Sequence, residues 1–319
     1  MSIAAPLDTD ITVASAVAEG RNQALRYSVV MLFKRARMTV PIRTAHENGH
    51  FYSPVVDPSE IREERIWPQI PPVVVGIDFD ESGHEQILKT VFPRFMPEYD
   101  YPEILEETSD LSKFFTQNSQ FSWLDCRTLF VLLREWQPRK IVEIGSGFTT
   151  LLFADVNSRF QGGAAEFICV EPYPRPFLKK GIPGVTQLLE QKVQDVPLEI
   201  FARLGAGDIL FIDSSHVAKT GSDVVYLFSE ILPRLEKGVR VHVHDIFLPR
   251  DYPRDWVITE NRSWNEQYML RALLTFSSAF RVTFGCSYAF WRFPDLVKAA
   301  LSNPKGHAFG GGSFWFERI

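Results

Sequence analysis

Short apolar segments alternate with helical segments along most of the chain, and this alternation restricts the fold more than any other feature. Four segments are typical of buried strands, at residues 139–145, 166–171, 208–213 and 238–245. Between them, apolar residues spaced three and four apart form one helical face, as in residues 224–235. Strands separated by helices pair in parallel through crossovers, which produces a sheet covered on both faces. The pattern therefore predicts a doubly wound α/β fold.

The end of the chain departs from this alternation. A further strand-like segment at 280–288 and a short helix at about 294–301 precede a glycine-led segment at 310–319. A last strand that follows so short a helix is expected to insert antiparallel beside the last parallel strand. We expect a mostly parallel seven-stranded sheet with an antiparallel C-terminal strand.

The first third of the chain lacks this regularity. Residues 20–45 carry several basic residues around an apolar core, which leaves open a docking segment, peripheral membrane contact or a homodimer contact. Residues 52–73 are rich in proline, which disfavours helix, and residues 96–110 form an acidic connection. We divide the chain into an irregular N-terminal extension, 1–115, and a main domain, 116–319.

Composition excludes several classes of protein. The chain has 34 lysines and arginines against 39 acidic residues, a net charge of −5, which argues against a dedicated nucleic-acid binder. Its three cysteines lie far apart, so a disulfide framework is excluded and a reducing compartment is expected. The N-terminal residues do not resemble a signal peptide, and no apolar run is long enough to cross a bilayer. We expect a cytoplasmic protein without stable membrane insertion.

The ends of the first two strands carry the first binding residues. The first reads Glu143-Ile-Gly145-Ser146-Gly147, where glycines allow a sharp turn and a close approach to a ligand, and the following helix attracts an anion. The dinucleotide fingerprint needs a third glycine at position 150, where the chain has threonine. Glu171 ends the second strand, at about the 20-residue spacing expected of an acid that binds a ribose diol. The two strand ends together predict a nucleoside-type ligand.

Five segments then carry a family resemblance: VEIGSGFTT, CVEPYPR, FIDSSH, VHVHDIFLPRDYP and SWNEQYMLRALL. With them the chain resembles a class I S-adenosylmethionine-dependent methyltransferase, and more closely a largely uncharacterised bacterial group of such enzymes. The resemblance covers residues 120–319, and NGHFYSPVVDPSE (48–60) is similar to that group's N-terminal segment. It implies a Rossmann-like methyltransferase domain at 116–319 and S-adenosylmethionine as the cofactor.

The resemblance also assigns cofactor contacts. It places the methionine part of the cofactor on residues 145–147, with Glu143 near the amino group and the ribose on Glu171. Gln194 and Asp195, at the end of an expected third strand that precedes the segment at 208–213, would contact adenine, although a simple loop at this pair is left open. Asp213, at the end of the fourth strand, is a further candidate for cofactor contact.

The fourth strand end also points to the reaction. Methyl transfer from a sulfonium to a hydroxyl is an in-line displacement, so the acceptor must be positioned and must lose a proton. His216 suits a general base at neutral pH, and Asp213 could orient it, touch the cofactor or bind a metal. The pair resembles catechol-type O-methyltransferases, in which an aspartate metal ligand precedes a basic catalytic residue by three positions.

The fifth strand end supplies two more candidates. Strand alternation puts His242 and His244 on one face, with His242 deeper, as a hydrogen-bonded core residue, and His244 and Asp245 near the substrate. Asp245 is similar to the second acidic metal ligand of the catechol-type enzymes, but Ile246 stands where they carry an amide. This departure weakens a magnesium site, whereas Asp213, Asp245 and a histidine would suit a borderline metal. The need for a divalent metal is left open.

A long segment, 246–262, follows the fifth strand and is expected to form a lid or binding loop. The sequence Ser263-Trp-Asn-Glu266 has the spacing of a capping box, which assigns Glu266 to the backbone N–H of Ser263. The remaining polar and aromatic residues near this helix start, namely Trp264, Asn265 and Tyr268, are candidates for substrate contact.

The sequence therefore predicts a methyltransferase that acts on a hydroxyl of a small molecule or saccharide, with His216 as the base and no nucleic-acid partner. Two alternatives from other classes stay open. One is an NAD-linked Rossmann oxidoreductase, against which Thr150 and the antiparallel last strand count. The other is a scaffold that binds the cofactor without transferring the methyl group.

Overall fold

The computed structural model describes residues 44–104, 113–118, 120–121, 123–301 and 311–319. The chain divides into two compact units, Met1–Ser53 and Pro54–Ile319. In the described part of the first unit, residues 44–53 form turns in which the rings of His46 and His50 stack at 4.6 Å. The basic stretch at 20–45 lies almost entirely outside the described residues. The domain boundary between residues 115 and 116 stays a prediction.

The second unit is built on a seven-stranded sheet with the order β3-β2-β1-β4-β5-β7-β6. Its strands are β1 (Lys140–Ile144), β2 (Glu166–Val170), β3 (Gln187–Leu189), β4 (Ile209–Ile212), β5 (Arg240–Val243), β6 (Phe280–Gly285) and β7 (Phe314–Arg318). Strands β1 to β5 are parallel, and β7 runs antiparallel between β5 and β6. The predicted mostly parallel sheet with an antiparallel C-terminal strand is confirmed.

Helices connect the strands and precede the sheet. They are α1 (Glu63–Ile66), α2 (Glu81–Gln86), α3 (Phe92–Phe95), α4 (Trp123–Trp136), α5 (Phe148–Phe160), α6 (Pro176–Lys179), α7 (Leu198–Ala202), α8 (Asp223–Tyr226), α9 (Arg254–Ile258), α10 (Glu266–Leu274), α11 (Cys286–Arg292) and α12 (Pro294–Leu301). Wider π turns at Ile87–Val91 and Leu227–Ile231 and 3-10 turns at Pro58–Glu60, Met96–Glu98, Val193–Asp195 and Leu232–Arg234 extend or join them. Within the described residues, no helix has the length and apolar character needed to span a membrane.

Two elements differ from the predictions. The strand expected at 280–288 ends at Gly285, because its partner β7 begins opposite it at Phe314 and offers no further residue to pair with. Helix α11 therefore takes up the following residues. The loop expected at 246–262 contains the short helix α9.

The strand register aligns the carboxyl ends of the parallel strands. Ile144 of β1 lies opposite Val170 of β2 and Ile212 of β4, and Ile212 lies opposite Val243 of β5. The residues that follow these strands therefore meet at one edge of the sheet. In an open α/β sheet this edge, where the strand order reverses, is where ligands bind.

The core behind this edge is aromatic. Phe211 of β4 stacks on His242 of β5 at 3.8 Å and meets Phe153 of α5 edge-on. His242 is fully buried, but neither ring nitrogen has a hydrogen-bond partner among the described residues, so the expected hydrogen bond is not found. Burial holds the pKa of His242 well below its usual range, which keeps the ring neutral.

A buried carboxylate of helix α4 holds the segment that enters β7. Asp125 accepts hydrogen bonds from the backbone N–H groups of Gly312 and Ser313, at 3.0 and 2.8 Å. A Cβ on Gly311 would lie 2.1 Å from that carboxylate, so any larger residue there would have to displace it. Asp125 was not predicted from the sequence, because there it is a single polar residue in a mostly apolar helix.

Replacing Gly311 by alanine is expected to displace the Asp125 carboxylate and break its two hydrogen bonds. Loss of two charge-assisted bonds should lower the free energy of unfolding by about 2–4 kcal/mol. Urea denaturation of Gly311→Ala measures this loss. Gly205→Ala is the matched control. The atom nearest to a Cβ added at Gly205 lies 3.9 Å away, so the free energy of unfolding should change little.

The double variant identifies the cause. If the clash with the carboxylate is responsible, Gly311→Ala should cost far less in an Asp125→Ala background than in the wild-type chain. An equal cost in both backgrounds would contradict this explanation.

Candidate functional site

A glycine loop connects β1 to α5 at the binding edge of the sheet. Gly145 has a φ of +83°, and a Cβ there would lie 1.9 Å from the carbonyl oxygen of Asp213. Gly147 precedes α5, and its N–H donates to the Thr150 hydroxyl at 3.0 Å. The position where the dinucleotide fingerprint has its third glycine therefore carries a side chain that caps the helix.

Glu143 lies beneath this loop and is fully buried. Its carboxylate accepts hydrogen bonds from the hydroxyls of Thr149 and Thr150, at 2.5 and 2.6 Å. Burial raises the pKa of Glu143 to about 7, although the hydroxyl donors oppose this shift. The contacts show that Glu143 holds the start of α5 against β1. Its role near the cofactor's amino group stays a prediction.

A cavity of about 1070 Å³ opens above the loop. It brings together most of the residues predicted from the sequence, namely Gly145, Ser146, Gly147, Glu171, Asp213, His216, His244, Asp245 and Trp264. The remaining five are absent from its lining: Glu143, which lies beneath the loop, and four residues elsewhere, namely Gln194, Asp195, Asn265 and Tyr268.

Those four residues make other contacts. Gln194 donates to the carbonyl of Gly221 at 2.9 Å, and Asp195 is exposed. Asn265 exchanges hydrogen bonds with the backbone of Ala218, and the Tyr268 hydroxyl donates to an aspartate of the segment after β5. The adenine role of the first pair and the substrate role of the second pair stay predictions.

Glu171 lies at the wall of the cavity, just beyond β2. One of its carboxylate oxygens accepts the backbone N–H of Tyr173 at 2.7 Å, which fixes the side chain. Partial burial raises the pKa of Glu171, and the nearby Asp213 carboxylate acts in the same direction. A carboxylate fixed in this way can accept hydrogen bonds from a diol in the cavity.

Asp213, His216 and Asp245 also line the cavity and form a cluster, called here the Asp–His–Asp cluster. His216 Nε2 lies 3.4 Å from Asp213 Oδ1 and 3.4 Å from Asp245 Oδ2. Both His216 and Asp245 have left-handed backbone conformations, with φ of +60° and +57°. Such conformations are uncommon outside glycine and concentrate at functional sites.

The cluster shifts the acidity of its members. Burial lowers the pKa of His216, but its contacts with Asp213 and Glu266 outweigh burial and hold the pKa well above the usual range. Burial raises the pKa of Asp213, but His244 and His216 outweigh it and the net shift is downward. Burial dominates at Asp245, whose pKa is raised. The cluster therefore favours a positive charge at its centre.

The capping box predicted for Glu266 is wrong. Helix α10 begins at Glu266 itself, and the Ser263 hydroxyl instead accepts the N–H of Val56 at 3.1 Å. Glu266 Oε2 lies 3.0 Å from His216 Nδ1 and accepts the Ser214 hydroxyl at 2.9 Å. Burial raises the pKa of this fully buried carboxyl, against the opposing effect of His216. The long-range contact with His216 replaces the local cap.

Aromatic residues form the wall beside the cluster. The ring of Trp264 lies 4.3 Å from that of His216, and Trp256 meets Trp264 edge-on at 5.3 Å. The Arg262 guanidinium lies over both indoles, at 4.1 and 4.7 Å. Arg262 was missed in the sequence because it belongs to no pattern. The only sequence feature that pointed to Trp256 was its position in the long segment after β5.

Comparison with known proteins agrees with this arrangement. A family model described as a methyltransferase domain matches residues 142–246. An Archaeoglobus fulgidus protein described only as uncharacterized is 33% identical over 180 residues, which cover 55% of this chain and 80% of that protein.

Two solved methyltransferase structures resemble this chain at low similarity. An O-methyltransferase from Streptomyces achromogenes, solved with S-adenosylmethionine, is 16% identical, with a TM-score of 0.36 over 76% of this chain and 91% of that one. An O-methyltransferase from Bacillus cereus, solved with S-adenosylhomocysteine, is 13% identical, with a TM-score of 0.37 over 75% and 91%.

The domain match covers the glycine loop, Glu171 and the Asp–His–Asp cluster, and the archaeal relative extends the likeness beyond it. The sheet order and the cavity at the strand ends agree with both. The chain belongs to the class I S-adenosylmethionine-dependent methyltransferases, in one family with the archaeal protein.

Proposed function

We propose that this methyltransferase transfers the methyl group to a hydroxyl of a small molecule or saccharide. One observation carries the proposal: a single cavity is lined both by the glycine loop with Glu171 and by the Asp–His–Asp cluster. Sites for one drug-sized ligand occupy about 300–1,000 Å³. A cavity of about 1070 Å³ therefore has room for the cofactor and an acceptor beside it.

The glycine loop side suits the cofactor. Residues 145–147 leave the backbone accessible, and the first turn of α5 favours the methionine carboxylate because helix N-termini attract anions. The fixed Glu171 carboxylate suits the ribose hydroxyls. Adenine contact by Gln194 and Asp195 receives no support from the cavity lining.

The Asp–His–Asp cluster suits the acceptor. A hydroxyl that attacks the sulfonium methyl carbon must lose its proton during or after the attack. His216 Nε2 can accept this proton when the imidazole is neutral, and Asp213 and Asp245 would hold a cation that polarises the hydroxyl if one is bound. Glu266 fixes the orientation of the imidazole through Nδ1.

Replacing Glu171 by alanine is expected to weaken binding of S-adenosylmethionine and S-adenosylhomocysteine by about 10- to 100-fold. The reason is that hydrogen bonds to a charged partner contribute about 1.5–3 kcal/mol. Calorimetric titration of the purified chain measures both affinities. Glu236→Ala, at an exposed position away from the cavity, is the control and should bind as the wild type does.

Two results of that titration would contradict the proposal. Binding of NAD in place of the two sulfur compounds would favour the oxidoreductase alternative. Wild-type affinity in Glu171→Ala would remove the ribose contact from the site.

Replacing His216 by asparagine is expected to lower methyl transfer by about 100-fold or more, the usual contribution of positioned proton transfer. Asparagine is chosen because it tolerates the left-handed backbone at this position. The measurement follows radiolabel from S-adenosylmethionine into a panel of saccharides and small hydroxyl compounds.

His50→Asn, at an exposed histidine, serves as the control for that variant. Cofactor affinity of His216→Asn should stay at the wild-type value, which separates transfer from binding. Undiminished transfer by His216→Asn would contradict the proposed role of the cluster. Cofactor binding without transfer to any member of the panel would favour the non-catalytic scaffold.

A further inference from the structure

We propose that Asp213, His216 and Asp245 bind a divalent transition-metal ion, with Glu266 holding the histidine ligand from behind. The inference deepens the proposed function, since the ion would lie at the acceptor end of the cavity. It rests on the arrangement of the side chains themselves, which differs from an ordinary network of hydrogen bonds.

The distances match donors that share an ion. One ligand atom from each of the three side chains lies within 4.8 Å of the other two. His216 Nε2 is 3.4 Å from each carboxylate, beyond the 2.7–3.2 Å of a normal N–H···O bond. Two donors bound at about 2.1 Å lie about 3.0 Å apart at right angles and about 3.4 Å apart in a tetrahedral arrangement. The gap between imidazole and carboxylates therefore has the width of a shared ion.

Glu266 supplies the carboxylate that commonly orients a metal-binding histidine through its second ring nitrogen. Metal-bound histidines commonly donate their second ring N–H to a carboxylate, which fixes the tautomer and the ring orientation. Here Glu266 Oε2 lies 3.0 Å from His216 Nδ1, and the Ser214 hydroxyl holds the same oxygen. With Nδ1 donating to Glu266, the neutral ring has its only lone pair on Nε2, which faces the two aspartates.

Missing partners give a second, independent reason. No backbone N–H or hydroxyl within the described part of the chain donates to the side chains of Asp213 or Asp245, and no lysine or arginine there pairs with them. His244, whose side chain is only 6% exposed, faces Asp245 with Nε2 at 3.6 Å, and its Nδ1 has no partner among these residues. Asp213 and Asp245 are only partly exposed, and either an imidazolium at His216 or a bound cation would compensate their charges.

The donor set selects the kind of ion. Magnesium favours a shell of oxygen ligands, whereas one imidazole with two carboxylates suits manganese, iron, cobalt or zinc. Ile246 offers no amide oxygen after Asp245, so His216 provides the third protein ligand. A bound ion of this kind would lower the pKa of a hydroxyl that reaches it from the cavity.

The test needs no acceptor. The full-length chain, treated with EDTA, is titrated with Co²⁺, Mn²⁺, Zn²⁺ and Mg²⁺ by calorimetry, and Co²⁺ binding is followed by its visible absorption. We expect one ion per chain, with Mg²⁺ weakest and with Co²⁺ absorption of a nitrogen-containing site. Asp213→Asn and His216→Asn should abolish tight binding, and Glu266→Gln should weaken it about 10- to 100-fold.

Asp295→Asn and His50→Asn replace exposed residues of the same types and should bind the ions as the wild type does. Circular dichroism verifies that each variant is folded. Absence of one-to-one binding of any of the four ions would overturn the site, and unchanged binding in Glu266→Gln would overturn the role of Glu266.

S-adenosylmethionine titration in EDTA separates this inference from the proposed function. Cofactor binding without ion binding would leave the methyltransferase proposal standing and assign the cluster to an organic cation or to direct proton transfer. Ion binding without cofactor binding would have the opposite meaning, because the metal site would stand while the proposed reaction failed.

Discussion

The close approach of the β1 and β4 strand ends is the contact on which the site depends. Gly145 lies so near the Asp213 carbonyl that a Cβ would sit 1.9 Å from it, and the Asp213 N–H donates to the Ile144 carbonyl at 2.8 Å. Backbone atoms cannot relax in the way that side chains do. The loop that suits the cofactor and the first residue of the Asp–His–Asp cluster are therefore fixed relative to each other, as in-line methyl transfer requires.

Glu266 holds the other side of the cluster, although burying its carboxylate is energetically costly. Glu266 is fully buried, and its Oε1 has no partner among the described residues. Two features offset this cost: the contact of Oε2 with His216, and the position of Glu266 at the first residue of α10, where the helix dipole favours a negative charge. The backbone N–H of Glu266 also donates to the His216 carbonyl at 3.2 Å. Side chain and backbone together hold His216 in its uncommon conformation.

Sequence patterns correctly predicted the parts of the structure that depend on residues close together in the sequence. The alternation of strands and helices predicted the sheet, and the parallel order then placed Glu171, Asp213 and Asp245 at one edge. The errors concern partners that are distant in sequence. The spacing around Glu266 fits a capping box, but its actual partner, His216, lies 50 positions away. Asp125 accepts hydrogen bonds from residues more than 180 positions away. Spacing within one helix contains no information about such partners.

The geometry of His216 also limits the mechanism. An ionised Glu266 can only accept a hydrogen bond, so Nδ1 carries a hydrogen, and in the neutral ring the lone pair is on Nε2. That single lone pair can accept a proton or bind an ion, but it cannot do both at once. A general base at His216 and a metal ligand at His216 are therefore exclusive mechanisms built on the same atoms. Because Ile246 offers no amide oxygen, an ion at this cluster would have three protein ligands only if the imidazole were one of them.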